Sequence, residues 1–364
     1  MKVKNLLLEG LCILALSVQF TSCNDDDNNV WNDEGSTISL PQHRSFILNE
    51  GTYGDNNTNI TFYAPNKDAE DRNNNFISNF YFTQNNKKLG DTGQDIAEYD
   101  GNIYVVIYNS KLLLKLNAAG VEEKRLSFTE EDGNPRYMTI KDDKVYVTLY
   151  SGKVARIDAK TLTVEKYVNV NSNPEQIVEA KGKLYVANSG WGSGKTISVI
   201  DMESFTKEKD IQVIINPNYL LKANNEVYVI SFGDYGEIPY TFQRIKADDS
   251  YENIAKASYF AEYNNTIYLV HSETNWATNS AVNKFFTYNS QTHQLNETSF
   301  LTNMPDELKS KLIRGINIDK KTGDIYILTA NKTTNGDIYR FKNNGSSIEK
   351  FDCGGLNPSK IIWL

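Results

Sequence analysis

The sequence has few of the residues that build disulfide frameworks and metal centres. It holds three cysteines and three histidines in 364 residues, without a Cys-x-x-Cys or His-x-x-x-His pair. Metal sites of the common spacings are therefore not indicated. Cys12 lies in an apolar leader and Cys353 stands alone near the C-terminus, so no disulfide framework is expected. We expect Cys353 to be a partly buried thiol, and we predict no metal and no cofactor.

Positive charge and helix-period patterns are also scarce. The formal net charge is −8, which argues against a nucleic-acid partner, since such partners attract basic surfaces. Apolar residues make up 40% and aromatic residues 12% of the chain, enough for a core. The 22 tyrosines, with many Asn, Thr and Ser residues, suit strands and tight turns. The composition favours an all-β protein.

The first residues have the layout of an export signal. Lys2 and Lys4 precede an apolar run from Leu11 to Phe20, which is too short to span a membrane as a helix. The run ends in Phe-Thr-Ser before Cys23, which resembles a bacterial lipobox, where the cysteine is diacylated and becomes the new N-terminus. An ordinary cleaved signal with a chance cysteine is the alternative.

An acidic segment follows this cysteine. Residues 24–29 read Asn-Asp-Asp-Asp-Asn-Asn, a solvated tether that also resembles the signal sending lipoproteins of some gut anaerobes to the outer face of the outer membrane. Two or three acyl chains anchor a protein stably, so membrane attachment would need the lipid alone. We predict a lipoprotein signal peptide at 1–22, a lipidated acidic tether at 23–40 and a folded domain at 41–364.

One aromatic position recurs along the chain at intervals that indicate a repeated unit. The clearest copy spans residues 173–206 and reads as strand, turn, strand, loop, strand, turn. Spacings of 58, 42, 39, 43, 40 and 58 residues separate its copies, and a period near 40 with several short strands is typical of a β-propeller blade. Seven positions predict seven blades: Phe46, Tyr104, Tyr146, Tyr185, Tyr228, Tyr268 and Tyr326.

A second column locates the innermost strand of each blade. Prolines stand 11 residues before three of the tyrosines, and an apolar residue follows three positions later. Counted in this way, the buried column is Ile96, Met138, Ile177, Leu220, Phe260 and Ile318. Residues 357–364 form an inner strand without a second strand, and residues 43–49 form a second strand without an inner one. We predict that these two segments pair and close the ring, which removes an open edge.

Particular sequence elements resemble a known family. Tyr-Val-Ala-Asn-Ser-Gly at 185–190, Thr-Ile-Ser-Val-Ile-Asp at 196–201 and the Asn-Pro-x-x-Ile elements are similar to those of YncE-like, YVTN-type seven-bladed propellers. With the lipoprotein leader, the chain resembles the propeller lipoproteins of gut anaerobes, including the BtuG type. That resemblance implies a surface-exposed outer-membrane lipoprotein that captures cobalamin (vitamin B12) and delivers it to a TonB-dependent outer-membrane transporter.

The ligand would lie on the propeller face formed by two sets of loops, those entering the inner strands and those after the second strands. Loops on a rigid scaffold are the usual place for binding residues. Aromatic rings edged by amides can cover a large planar ligand. The predicted ligand-binding residues are Gln94, Asp95, Tyr108, Arg136, Tyr137, Tyr150, Glu175, Gln176, Trp191, Asn218, Tyr219, Phe232, Tyr235, Tyr259, Trp276, Asn317 and Lys360.

Other interpretations of the same residues stay open. The face would also suit a glycan or a protein loop, and the tyrosines could simply pack between blades. A metal-dependent, lactonase-like hydrolase is a further alternative, but Asp95 and Glu175 have no adjacent partner with a readable acid/base role, so we expect no enzyme. His271 could approach the channel mouth and ligate a metal or a corrinoid cobalt, or be a satisfied polar residue.

Overall fold

Seven antiparallel sheets of four strands each make up most of the fold. The structure is a computed structural model, and it describes residues 31–64, 75–275, 277–278, 280–331 and 333–364. Each inner strand contacts the inner strands of the blades before and after it, and the last contacts the first, so the ring is closed. The prediction of a seven-bladed β-propeller is confirmed.

Each blade runs from an inner strand at the central channel to an outer strand at the rim. From inner to outer strand, the first four blades are as follows: blade 1, Pro358–Trp363, Ser45–Asn49, Asn59–Tyr63 and Phe76–Ile77; blade 2, Gly93–Tyr99, Asn102–Ile107, Leu112–Leu116 and Glu122–Ser127; blade 3, Pro135–Lys141, Lys144–Leu149, Lys153–Asp158 and Val164–Asn169; blade 4, Pro174–Ala180, Lys183–Asn188, Thr196–Asp201 and Thr206–Gln212.

The remaining blades follow the same order. They are blade 5, Pro217–Ala223, Glu226–Ser231, Thr241–Ile245 and Tyr251–Ala255; blade 6, Tyr259–Tyr263, Thr266–Asn275, Ser280–Asn289 and Gln294–Asn296; blade 7, Leu312–Ile318, Ile325–Ala330, Asp337–Phe341 and Ser347–Asp352. Blade 6 departs from the pattern, because its second and third strands have ten residues each and its outer strand only three.

The C-terminal strand closes the ring as predicted. It supplies the inner strand of blade 1, where Ile361 pairs with Ile47 and Trp363 with Ser45. Backbone hydrogen bonds of 3.2 and 2.9 Å between Arg44 and Leu364 extend the pairing by one residue. This strand covers the edge that Ser45–Asn49 would otherwise leave open.

The core lies between neighbouring blades, and the predicted apolar column forms part of it. Ile96, Met138, Ile177 and Leu220 are buried, whereas Phe260 is half-buried. In blade 7 the column position is occupied by Ile316 and not by the predicted Ile318. Ile316 pairs with Ile327 in the same way as Ile96 pairs with Val105 in blade 2. The predicted register there is two residues off, because the hairpin turn spans 320–323, whereas the other inner hairpins turn over two residues.

Helices are few and short among the described residues. One α-helix, Phe80–Asn85, packs Phe80 and Tyr81 into the core beside blade 1, and it was not predicted, because six residues are too short for a period-3.6 pattern. The sequence at 303–313 predicts a short helix, because Pro305 would stand in its first turn and acidic residues precede lysines. The structure shows only a single 3₁₀ turn there, Asp306–Lys309. It ends there because Leu312 already belongs to the inner strand of blade 7.

The described chain begins on the face opposite the entry loops. Trp31 packs over Gly101, in the turn that links the inner and second strands of blade 2. Asn117, in the turn before the outer strand of that blade, donates to the Glu34 carbonyl over 2.9 Å. Arg44 is fully buried and forms an ion pair of 2.7 Å with Asp33. The segment 31–44 is therefore tied to blade 2 at the end of the ring opposite the entry loops, which we call the lower side.

Candidate functional site

The entry loops and the loops after the second strands share one end of the ring, which we call the upper face. Tyr137, at the start of the inner strand of blade 3, and Tyr219, in blade 5, meet with ring centroids 6.4 Å apart. Trp191 lies beside Tyr150 on the same face, at 5.8 Å. These four predicted site residues, which come from blades 3, 4 and 5, therefore lie on one face of the ring.

A cavity of about 160 Å³ opens at the centre of the upper face. We call it the channel mouth. Eight predicted residues line it, namely Gln94, Asp95, Tyr137, Gln176, Tyr219, Tyr259, Asn317 and Lys360, together with Glu50 and Arg314, which were not predicted. Arg314 forms an ion pair with Glu50, and Lys360 forms one of 2.7 Å with Asp95. Each cation at the mouth is therefore matched by a carboxylate.

Three of the predicted side chains clamp neighbouring inner strands together. The carboxylate of Asp95 accepts a hydrogen bond from the Met138 backbone N–H over 3.0 Å. The amide oxygens of Gln176 and Asn317 likewise accept hydrogen bonds from backbone N–H groups of the next inner strands, over 2.9 and 3.1 Å. Since these oxygens hold the ring in register, they make the channel mouth rigid before any ligand arrives.

Three tyrosines form one wall of the channel mouth. The rings of Tyr219 and Tyr259 lie 6.0 Å apart, and Tyr137 meets Tyr219 edge to face. Burial raises the pKa of each of the three phenols above its ordinary value, so they are neutral O–H groups at physiological pH. No group of the described chain hydrogen-bonds their hydroxyls. They are thus available to a ligand as both donors and acceptors.

A buried ion pair stands beside the mouth, between blades 3 and 4. Both Nε and Nη2 of Arg136 donate to Oε2 of Glu175, over 2.9 and 2.7 Å. The Tyr150 hydroxyl donates to Oε1 over 2.5 Å, and Ser189 donates to the same atom at 3.2 Å. Burial opposes the charge on Arg136, but Glu175, Tyr137 and Tyr150 together outweigh it and raise the arginine pKa.

Aromatic rings surround that arginine and continue outwards. Its guanidinium lies 5.2, 5.4 and 4.7 Å from the ring centroids of Tyr108, Tyr137 and Tyr150, within range of cation–π attraction. Tyr108 meets Tyr150 at 5.6 Å, and Tyr150 meets Trp191 at 5.8 Å. These rings link the ion pair to the solvent-exposed edge of the face.

A second aromatic line crosses blade 5. Tyr219 meets Phe232 at 5.2 Å, and Phe232 stacks on Tyr240 at 4.5 Å. Tyr235 stands next to Tyr240 at 6.4 Å. The ends of the two lines are exposed, since Trp191 has 74% and Tyr235 has 72% of its surface accessible. Both take the left-handed conformation, with φ of 56° and 59°, an uncommon backbone for bulky residues that is often kept at functional sites.

A few predicted residues lie elsewhere or point away from this arrangement. The side-chain amide of Asn218 donates hydrogen bonds to the backbone carbonyl and the side-chain oxygen of Asn216, over 3.0 and 2.8 Å. His271 does not line the channel mouth; it lines a separate cavity between blades 5 and 6. Trp276, predicted to bind ligand, and Cys23, predicted to carry lipid, lie outside the described residues.

Three residues of the site were missed from the sequence: Arg314, Glu50 and Tyr240. Arg314 occupies the entry position of blade 7 once the longer turn is counted. The turn has a readable signal, since Asp319 accepts from the Lys321 N–H and the Thr322 hydroxyl and Gly323 takes φ of 77°. An Asp-Lys-Lys-Thr-Gly run thus marks a four-residue turn rather than a two-residue one.

Metal-type clusters and membrane-spanning helices are both absent from the described residues. In that part of the chain no group of three or more His, Cys, Asp or Glu side chains could hold a metal ion. Nor does any helix there combine the length and the apolar character needed to cross a bilayer.

Solved structures from several bacteria share the fold. A quinonprotein alcohol dehydrogenase-like protein from Bacteroides thetaiotaomicron is 17% identical with a TM-score of 0.61, over 88% of this chain and 78% of that one. A functionally unknown protein from Desulfotomaculum acetoxidans is 10% identical with a TM-score of 0.60, over 88% and 98%. Hydrazine synthase from Kuenenia stuttgartiensis is 15% identical with a TM-score of 0.56, over 67% and 74%. At these identities the likeness concerns fold alone.

Fold and site together define a seven-bladed β-propeller with an aromatic, hydrogen-bonding upper face. No curated protein sequence matches the chain. A family profile does match residues 44–359, and the chain belongs to that family, which is described as a domain of unknown function (DUF5074).

Proposed function

We propose that the protein captures a small molecule on its upper face, with cobalamin as the first candidate ligand, and that it binds the ligand without turning it over. The observation that carries this proposal is the pair of aromatic lines that run from the channel mouth to the exposed rings of Trp191 and Tyr235. Exposed rings on a preformed face provide a large contact area at small entropic cost.

The volume of the channel mouth limits how such a ligand could bind. Pockets that enclose drug-sized ligands measure roughly 300–1,000 Å³, whereas the mouth holds about 160 Å³. A corrinoid is far larger, so its planar ring system would lie across the face. Only one of its peripheral substituents would enter the mouth.

The polar groups at the mouth suit a neutral amide substituent. The pairs of Arg314 with Glu50 and of Lys360 with Asp95 cancel in charge. The Nε of Arg314 is buried and has no hydrogen-bond partner in the described chain, so it would donate to an amide carbonyl. The phenols of Tyr137 and Tyr259 can accept from an amide N–H group. Corrinoids carry a rim of such amides.

The position of the N-terminal segment supports surface display. Trp31 leaves the propeller from the face opposite the aromatic lines. If Cys23 carries lipid, the anchor would precede Trp31 in the sequence, and the described chain begins on the face opposite the aromatic lines. We propose that the protein sits on the outer face of the outer membrane and passes its ligand to a TonB-dependent transporter.

Calorimetric titration of the protein with cyanocobalamin tests the proposal. We expect binding with a Kd in the micromolar range or tighter, and a weaker Kd for Trp191→Ala. Tyr251→Ala, which removes a tyrosine 36% exposed on the outer strand of blade 5, is the matched control and should bind like the native protein. If cyanocobalamin released or absorbed no heat on titration at micromolar concentrations, cobalamin would be excluded as the ligand.

The second candidate is a glycan, because sugars also stack on exposed aromatic rings such as Trp191 and Tyr235. The same titration with oligosaccharides separates the two. Binding of an oligosaccharide that is lost in Trp191→Ala, without binding of cyanocobalamin, would favour the glycan and leave the upper face as the site.

A further inference from the structure

A second cavity, separate from the channel mouth, lies at the outer edge of blades 5 and 6. Its volume is about 670 Å³, within the range of pockets that enclose small ligands. It occurs where blade 6 lacks a full outer strand, because Gln294–Asn296 pairs only with residues 287–289 of the third strand. Ile254, Phe286, Leu295 and Met304 give the cavity an apolar lining.

His271 lines this cavity with an unused acceptor. The residue is 7% exposed, and its Nε2 lies 3.0 Å from Oε1 of Glu273. The hydrogen bond to His271 lowers the pKa of Glu273, so that carboxylate is ionised and can only accept. Nε2 therefore carries a proton, and Nδ1 is an acceptor when the ring is neutral. It is buried and has no partner in the described chain.

Asn283 gives the cavity wall a second unused acceptor. It is 8% exposed, and its Nδ2 donates to the carbonyls of Leu308 and Lys311, each over 2.8 Å. These two bonds fix the orientation of the amide, so Oδ1 is the atom without a partner. A buried acceptor left unpaired destabilises the folded state, which makes two of them on one cavity unusual.

We propose that this cavity is a second ligand site, which takes a small aromatic molecule carrying hydroxyl or N–H donors. The ring would lie against the apolar lining, and its donors would satisfy Nδ1 of His271 and Oδ1 of Asn283. Lys256, Lys284 and Glu297 at the same cavity supply charge of both signs, so no net charge on the ligand is required. The site does not depend on the function of the upper face.

Saturation-transfer NMR with resorcinol tests this site, because resorcinol places two O–H donors on one ring. Its dimethyl ether has the same ring but no donors and serves as the matched ligand. For a fragment of this size we expect a Kd on the order of 1 mM for resorcinol, and at least tenfold weaker binding of the ether.

Two variants locate the binding. His271→Phe keeps the ring but removes the acceptor, and it should weaken resorcinol about tenfold. Leu295→Trp fills the cavity from a half-buried edge position and should abolish the signal, whereas Trp191→Ala should leave it unchanged. Each variant's melting temperature reports whether it folds, and if His271→Phe fails to fold, Leu295→Trp and the ether carry the test.

Three outcomes would overturn the inference. The ether could bind as tightly as resorcinol, which would mean that the acceptors play no part. Resorcinol binding could survive Leu295→Trp, which would place it elsewhere. The third is no saturation transfer at about 10 mM, ten times the expected Kd.

Discussion

Substitution of Glu175 by glutamine should destabilise the propeller strongly. Glu175 is 4% exposed and accepts two hydrogen bonds from Arg136, one from Tyr150 and one from Ser189. Removing one partner of a buried ion pair destabilises a protein by about 3–5 kcal/mol, because the other charge stays buried. The Arg136 side chain is 18% exposed and glutamine keeps one acceptor, so we expect the low end, about 3 kcal/mol.

Urea unfolding followed by near-UV circular dichroism and by tryptophan fluorescence measures this difference. Glu208→Gln is the control, since its pair with Lys183 is about one-third exposed and should change the free energy of unfolding by less than about 0.5 kcal/mol. In a double-mutant cycle with Arg136→Gln the two changes should be non-additive by at least about 1 kcal/mol. A Glu175→Gln protein as stable as the native one, or an additive cycle, would refute the reasoning.

Three further outcomes follow from the fold. Ile361→Ala removes a buried side chain from the closing strand and should lower the free energy of unfolding by about 3 kcal/mol; an unchanged urea midpoint would contradict the closure. Gly345→Ala places a Cβ 1.8 Å from the Phe300 carbonyl oxygen at φ of 83° and should lower the melting temperature more than Gly182→Ala, which meets nothing within 4 Å; equal shifts would contradict the contact. Burial raises the pKa of Cys353 to about 12, so its thiol should resist alkylation at pH 8 until the protein unfolds, as peptide mass spectrometry would show. Rapid alkylation of Cys353 in the native protein would contradict the burial. Because the pKa of the Cys353 thiol is higher in the folded than in the unfolded protein, the stability that this thiol contributes is lost as the pH rises from about 9 towards 12.

The sequence was most informative where a pattern repeats. The tyrosine column predicted the blades, and five of its seven members are buried. The split blade could be predicted because residues 357–364 lacked a second strand and residues 43–49 lacked an inner one. Repetition averages out local noise, so the register was correct wherever the hairpin length stayed constant.

The remainder depended on single events that a repeat cannot signal. The longer turn at 320–323 shifted blade 7 by two residues, so Arg314 was missed and Asn317 lies two positions further along the inner strand than predicted. The pairing of Arg136 with Glu175 joins residues 39 apart on different blades, a contact that one sequence does not reveal. The cavity beside His271 results from the shortened outer strand of blade 6. No sequence motif marks such a shortening, so the cavity could not be predicted.

The most direct test of the account is the affinity of the upper face for cyanocobalamin with and without its exposed rings. Covering half of one aromatic side chain removes about 100 Å² from water, which corresponds to about 2 kcal/mol or roughly 30-fold in Kd. Calorimetry on the Trp191→Ala, Tyr235→Ala double variant should therefore show affinity reduced at least about 30-fold, whereas Tyr251→Ala should match the native protein. Equal affinities in all three proteins would show that the aromatic lines of the upper face do not bind the ligand.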